Sequence, residues 1–164
     1  MGKWREAFEE GRPSFYDRDY GRVYHFGPPA TPEQISEAEQ ILGRPLPTEL
    51  LSLLSEFNGV RDTTRWSGAD DEGDSVFLST MDLPDVLGYL RDVEDELPKP
   101  VRMGKVVFFW QDNGYAELYG ICAERVGRWP AGTIVHLDHE SQELKAPYPD
   151  LMAFVRGHDK EQEG

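Results

Sequence analysis

Between Pro32 and Phe57 the apolar residues recur at the spacing of α-helices. Ile35, Ala38, Ile41 and Leu42 form one stripe; Leu50, Leu53, Leu54 and Phe57 form a second, which Leu51 widens. The boundaries are equally legible. Thr31 is an N-cap residue, Pro32 suits the first turn, and Gln34 sits where it completes a capping box. Gly43 supplies the left-handed residue that ends a helix, and Asn58-Gly59 ends the second helix in the same way. Between them, Arg44-Pro45-Leu46-Pro47 is a stiff connector, because each proline fixes its own φ and restricts the residue before it. Two amphipathic helices joined by a rigid elbow cannot bury both stripes on each other alone, so the pattern requires a sheet beneath them.

The other elements follow the same logic. Trp4 and Phe8 share a face of a short helix that Gly11-Arg12-Pro13 terminates, and Arg22–Phe26 alternates as a strand closed by Gly27-Pro28-Pro29. Residues 60–75 read as a loop, and Val76-Phe77-Leu78 as a short strand or the entry into the next helix. Asp82 and Pro84 open a helix with Leu83, Val86, Leu87, Leu90 and Val93 inward; Pro98 and Pro100 then break the chain. Val106–Ile121 reads as a β-hairpin turning at Asn113-Gly114, and the two-sided apolar run Val106–Trp110 marks a central strand covered on both faces. Thr133–Leu137 is a further strand. Asp150 caps a closing helix with Leu151, Met152, Phe154 and Val155 inward. The expected fold is a single α+β domain, a mainly antiparallel sheet packed against the N-terminal helical hairpin and further short helices. Residues 1–24 form an aromatic-rich segment packed on the domain proper (25–157), and 158–164 a charged, frayed tail. Leu42, Leu46, Leu54, Phe57, Val107 and Phe109 are expected in the core.

One order of residues goes beyond periodicity. Ile35, Glu39, Leu42-Gly43, Leu46-Pro47, Leu54 and Phe57-Asn58-Gly59 together resemble the signature of the SUKH superfamily, which comprises bacterial immunity proteins and the related fungal Smi1-type regulators. The strand-turn-strand with Asp112-Asn113-Gly114 and Tyr119-Gly120-Ile121 resembles a form of the same pattern, with a departure from the Trp-Gly-Ile ending of that form. The resemblance covers roughly residues 25–157 and includes Phe154 in a closing helix.

Charge changes the picture most. The 164 residues carry 31 Asp and Glu against 17 Lys and Arg, a net charge of −14. Such a surface repels nucleic acid and anionic membranes and steers toward basic partners. The acids concentrate at Asp70, Asp71, Glu72 and Asp74, behind Trp66, and at Asp92, Glu94, Asp95 and Glu96 along the end of a helix whose outer face also carries Asp85. Clustered carboxylates favour hard cations, but the EF-hand alternation is absent, and a solvated loop accounts for 70–74. His136 and His139 lie on opposite faces of a strand, Cys122 has no Cys-x-x-Cys partner, and no nucleophile elbow, P-loop or dinucleotide motif occurs. No catalytic residue, metal or cofactor is therefore expected. One cysteine, no signal-peptide pattern and no apolar run of membrane-spanning length point to a cytoplasmic protein.

The resemblance implies an immunity protein that neutralises a cognate secreted toxin domain by stoichiometric occlusion, the toxin being a nuclease in many such systems. An intracellular regulatory adaptor of the same superfamily, or a small carboxylate-dependent hydrolase, are the alternatives. The family's motif residues look structural, so the expected partner contacts are Trp66 as an aromatic anchor and the acids at 70, 71, 72, 74, 92, 94, 95 and 96.

Overall fold

The computed structural model describes residues 2–11, 22–64, 74–112, 115, 117–138 and 140–163. In it the helical hairpin is the frame to which the chain ends are attached. The first helix of the hairpin, α2 (Pro32–Leu42), follows α1 (Lys3–Gly11) and strand β1 (Arg22–Phe26). Its capping box is complete: Gln34 N–H donates to Thr31 Oγ1 at 3.1 Å and Thr31 N–H to Gln34 Oε1 at 2.9 Å. Gly43 closes it at φ 74°. The elbow is fixed by Glu39, whose Oε2 accepts the Leu46 N–H at 2.8 Å.

The second hairpin helix, α3 (Thr48–Leu54), buries Leu50, Leu53 and Leu54 and carries the acceptors that organise both termini. Glu56, just past its end, receives the Trp4 and Arg5 N–H groups and so caps α1; Ser52 Oγ accepts the Trp4 indole N–H at 2.9 Å. Glu49 Oε2 accepts the Leu151 N–H at 3.1 Å, which fixes the start of the last helix, α6 (Leu151–Glu163). Part of the acidity is therefore structural, because anionic side chains belong at helix N-termini.

The remaining elements are β2 (Val60–Thr64), β3 (Asp74–Phe77), a 3-10 turn (Thr80–Asp82), α4 (Leu83–Asp92), a second 3-10 turn (Glu94–Glu96), α5 (Lys99–Arg102), β4 (Val106–Asp112), β5 (Glu117–Cys122), β6 (Ile134–Asp138) and β7 (Leu144–Tyr148). Together they give an α+β domain with an antiparallel seven-stranded sheet in the order β1-β2-β3-β4-β5-β6-β7. The two-sided strand is its middle one. Val107, Phe109 and Trp110 face one core with Trp4, Phe8, Leu53, Phe57 and Phe154, whereas Val106 and Phe108 face a second core with Val86, Leu97 and Val101. A register shift between Phe108 and Trp110 lets the adjacent Phe109 and Trp110 enter the same core.

Several expectations are corrected. Residues 60–64 and 74–77 are paired strands; Asp62 stands opposite both Tyr24 and Asp74, so the flanking strands impose the extended form that the polar sequence Arg61–Thr64 does not announce. The β4–β5 register pairs Asp112 with Glu117, so four residues connect the strands where a two-residue turn was expected, and Tyr115 takes a left-handed φ of 74°. Asp82 does not cap α4. Its Oδ2 accepts the Ser79 N–H at 2.7 Å, while Ser79 Oγ accepts from Met81, so the cap belongs to the 3-10 turn. Pro98 and Pro100 open α5 instead of ending structure, as prolines in a first turn can. Asn58 does not adopt positive φ; Gly59 does, at 91°. Strand β7 went unpredicted, and α6 runs on through the segment expected to fray. Ile41 is 41% exposed, because α2 turns Ala38 inward and Ile35 and Leu42 onto the edge of the core; Leu42 is half-buried, while Leu46, Leu54, Phe57, Val107 and Phe109 are buried.

Candidate partner-binding surface

Of the two acidic clusters, only the second falls wholly among the described residues. Trp66, Asp70, Asp71 and Glu72 lie outside the described residues; Asp74 opens β3 opposite Asp62, and its side chain is likewise outside the description. The second cluster is fully placed. Asp92 ends α4, Glu94, Asp95 and Glu96 form the 3-10 turn behind it, and all four are exposed. They line a ridge over the second core, held there by Leu97 and Val101, which are buried on either side of Pro98. Among the described residues none of the four has a basic partner.

That distinguishes them from other carboxylates. Glu124 takes a hydrogen bond from Arg44 Nη2 at 2.8 Å, and that bond holds its carboxyl below the usual range, with Lys105 assisting at 3.8 Å. Arg44 also donates to the Gly104 carbonyl at 2.5 Å, which ties the elbow to the end of α5. Asp138 is held below its ordinary value first by the Glu140 N–H, at 2.9 Å, then by Ser141 and by nearby His136. Unpaired, exposed acids keep their charge available to a partner; these do not.

Among the described residues, recesses flank the hairpin. One of about 430 Å³ lies between the elbow, Arg44–Glu49, and the end of β5 with Ala131 and Gly132. Cys122 is at its floor, 1% exposed, and burial pushes the thiol up to about 11, which leaves it un-ionised and unreactive at neutral pH. The second, about 320 Å³, is bounded by His25, Asn58, Arg61, Met81 and Asp82. Asn58 sets its wall: Oδ1 accepts the Thr80 N–H and Nδ2 donates to Thr80 Oγ1, each at 2.9 Å, so this residue clamps the hairpin to the 3-10 turn.

His136 is bonded through Nε2 to Glu117 on the neighbouring strand and stacks on Tyr119 at 4.6 Å; His139 lies outside the described residues. Among the described residues no group of three or more His, Cys, Asp or Glu side chains is placed to hold a metal ion. Among them, too, no helix is long and apolar enough to cross a membrane.

The hairpin's residues thus act as caps, elbow and clamp, and residues 29–157 match the SMI1 / KNR4 family (SUKH-1). The chain belongs to that family. Glu39, Leu46 and Asn58, three of the residues that carried the resemblance, make hydrogen bonds that shape the hairpin here. Helix α1 and strand β1 precede the matched region, and α6 continues past it. Comparison with curated proteins returns no match.

Proposed function

We propose that this protein is an immunity protein of the SUKH-1 family, acting in the cytoplasm by binding and occluding a cognate toxin domain without turnover. The family match over residues 29–157 carries the reading. The net charge of −14 and the exposed ridge at Asp92, Glu94, Asp95 and Glu96, without a basic partner among the described residues, agree with a basic partner protein, such as a nuclease whose cationic groove an acidic surface would cover. Steering by long-range charge sets the encounter rate, and a desolvated anchor at the interface centre sets the lifetime.

The test begins with the polypeptide encoded beside this chain's gene. Expressed alone it should arrest growth, and co-expression of this protein should restore it through a one-to-one complex. Association should slow as ionic strength rises past about 0.15 M, where the Debye length is about 8 Å. Dissociation should change far less. Charge reversal at 92, 94, 95 and 96 is compared with reversal at 70, 71, 72 and 74; a true contact singles out one cluster, whereas steering alone weakens both modestly. A neighbour that is harmless, or that is neutralised at substoichiometric amounts of this protein, would reject occlusion.

A further inference from the structure

Tyr115, between β4 and β5, meets α4 in a corner that the acidic ridge does not include. Asp82, Asp85 and Tyr89 follow at three- and four-residue intervals and share a helix face. The Tyr115 ring packs on Tyr89 with centroids 5.1 Å apart and planes at 36°. Gly88, beside Tyr89 within the helix, has nothing within 4 Å of where a Cβ would lie, so internal packing does not require a glycine there.

Tyr115 is held in place at a cost. A left-handed φ of 74° is unfavourable for an aromatic residue, and such outliers persist where the surroundings over-determine them. The surroundings are a relay of hydrogen bonds. Tyr115 N–H donates to Gln111 Oε1 at 3.2 Å, Gln111 Nε2 donates to the Ser75 carbonyl, and Ser75 Oγ donates to Asp82 Oδ1 at 3.4 Å. The relay fixes the ring against the helix beside two carboxylates. Burial first, then Asp85 and Asp82, raise the pKa of the Tyr115 hydroxyl. Among the described residues neither Asp82 nor Asp85 forms an ion pair with a basic side chain.

We propose that Asp82, Asp85, Tyr89 and Tyr115 form a docking corner for an arginine or lysine side chain of a basic protein partner. The cation lies against tyrosine and its hydrogens reach the carboxylates; tyrosine and arginine are enriched at such interfaces. Gly88 leaves the partner's backbone room to approach. The assignment rests on the reading of a basic partner and gives it a centre distinct from the ridge.

Two arms separate the corner from that reading. In the first, full-length protein is titrated by NMR with the peptide acetyl-Gly-Ala-Arg-Ala-Gly-amide and with its citrulline counterpart, which has the same shape without the charge. The arginine peptide should shift the Tyr89 and Tyr115 ring resonances, and citrulline should not. Asp85→Asn and Tyr115→Gly should each weaken binding by about three-fold. Glycine accepts the left-handed backbone, so that variant is expected to fold. Neutralising 92, 94, 95 and 96 together should leave the ring shifts in place. Equal response to both peptides, or shifts that vanish with the ridge charges and survive Asp85→Asn, would overturn the corner. In the second arm the same variants are assayed for neutralisation of the neighbour-encoded toxin. Undiminished neutralisation by Asp85→Asn and Tyr115→Gly rejects the corner and leaves the immunity reading standing. Failure of the parent protein to neutralise anything rejects the immunity reading, while the peptide arm still decides the corner.

Discussion

Replacing Glu56 by alanine should loosen α1 while the sheet stays intact. The Glu56 carboxylate receives the Trp4 N–H at 3.0 Å and the Arg5 N–H at 3.2 Å, two of the donors that a helix start leaves unsatisfied. Loss of such a cap costs about 1 kcal/mol, and loss of an anion at a helix N-terminus about 0.3–1 kcal/mol. The sum is about 1–2 kcal/mol. For a domain of this size each kcal/mol lowers Tm by about 2–4 °C, so the expected fall is about 2–8 °C. Glu56→Gln separates the two contributions, since the amide oxygen still accepts a hydrogen bond but carries no charge; its loss should be about 0.3–1 kcal/mol. Urea unfolding gives the free energies, and hydrogen exchange at Ala7 and Phe8, both 1% exposed, reports α1 specifically. Burial of Trp4, Ala7 and Phe8 keeps α1 docked in part even without the cap, so faster exchange should be confined to α1 and its contacts with α6. An alanine variant as stable as the parent, or one whose exchange accelerates uniformly across the sheet, would refute the assignment of Glu56 as the cap.

Two further outcomes can be checked independently. Asn58→Ala removes both bonds to Thr80, whose N–H is left unpartnered at a residue only 5% exposed; a loss of about 1–3 kcal/mol is expected in urea unfolding, and an effect near zero would show that the clamp is not a stabilising contact. Cys122, with its thiol raised to about 11, should react with aromatic disulfide reagents at pH 8 only as fast as the protein unfolds, so a prompt stoichiometric reaction in native buffer would contradict its burial.

What the chain announces and what it conceals follow from how far each signal reaches. Thr31, Pro32, Gln34 and Gly43 act on backbone groups within a turn of themselves, and their roles could be read directly. The alternation-free run Val106–Trp110 was equally transparent, because only a strand with a core on both sides can be apolar throughout. Asn58 was misread because its terminal position fits a left-handed cap as well as a side-chain clamp; Thr80, 22 residues away, decides between them. Strand β7 hid behind Pro147, yet a proline and the exposed Lys145 are what an edge strand tolerates. Asp85 was visible on the outer face of its helix, but its neighbour Tyr89 was not singled out, and nothing local to Tyr115 foretells its left-handed backbone, which the relay from Gln111 to Asp82 accompanies. The ridge at 92–96 was legible as acids; that none of them has a basic partner among the described residues only the three-dimensional arrangement tells.

The meander has a seam. β3 meets β4 through the Phe77–Trp110 pair, the Leu78 N–H to the Phe109 carbonyl at 2.7 Å and the Gln111 side chain on the Ser75 carbonyl, whereas β4 and β5 pair from Val106 to Asp112. With so few ladder bonds, the two parts of the sheet are held together chiefly by rings: Phe77 against Phe109 at 5.3 Å and against Trp110 at 5.9 Å. Cooperativity across that line depends on hydrophobic contact, which weakens on cooling, more than on backbone bonding. Below the temperature of maximum stability β1–β3 should therefore act as a separate foldon, opening before β4–β7, and the domain would lose its all-or-none character from one flank.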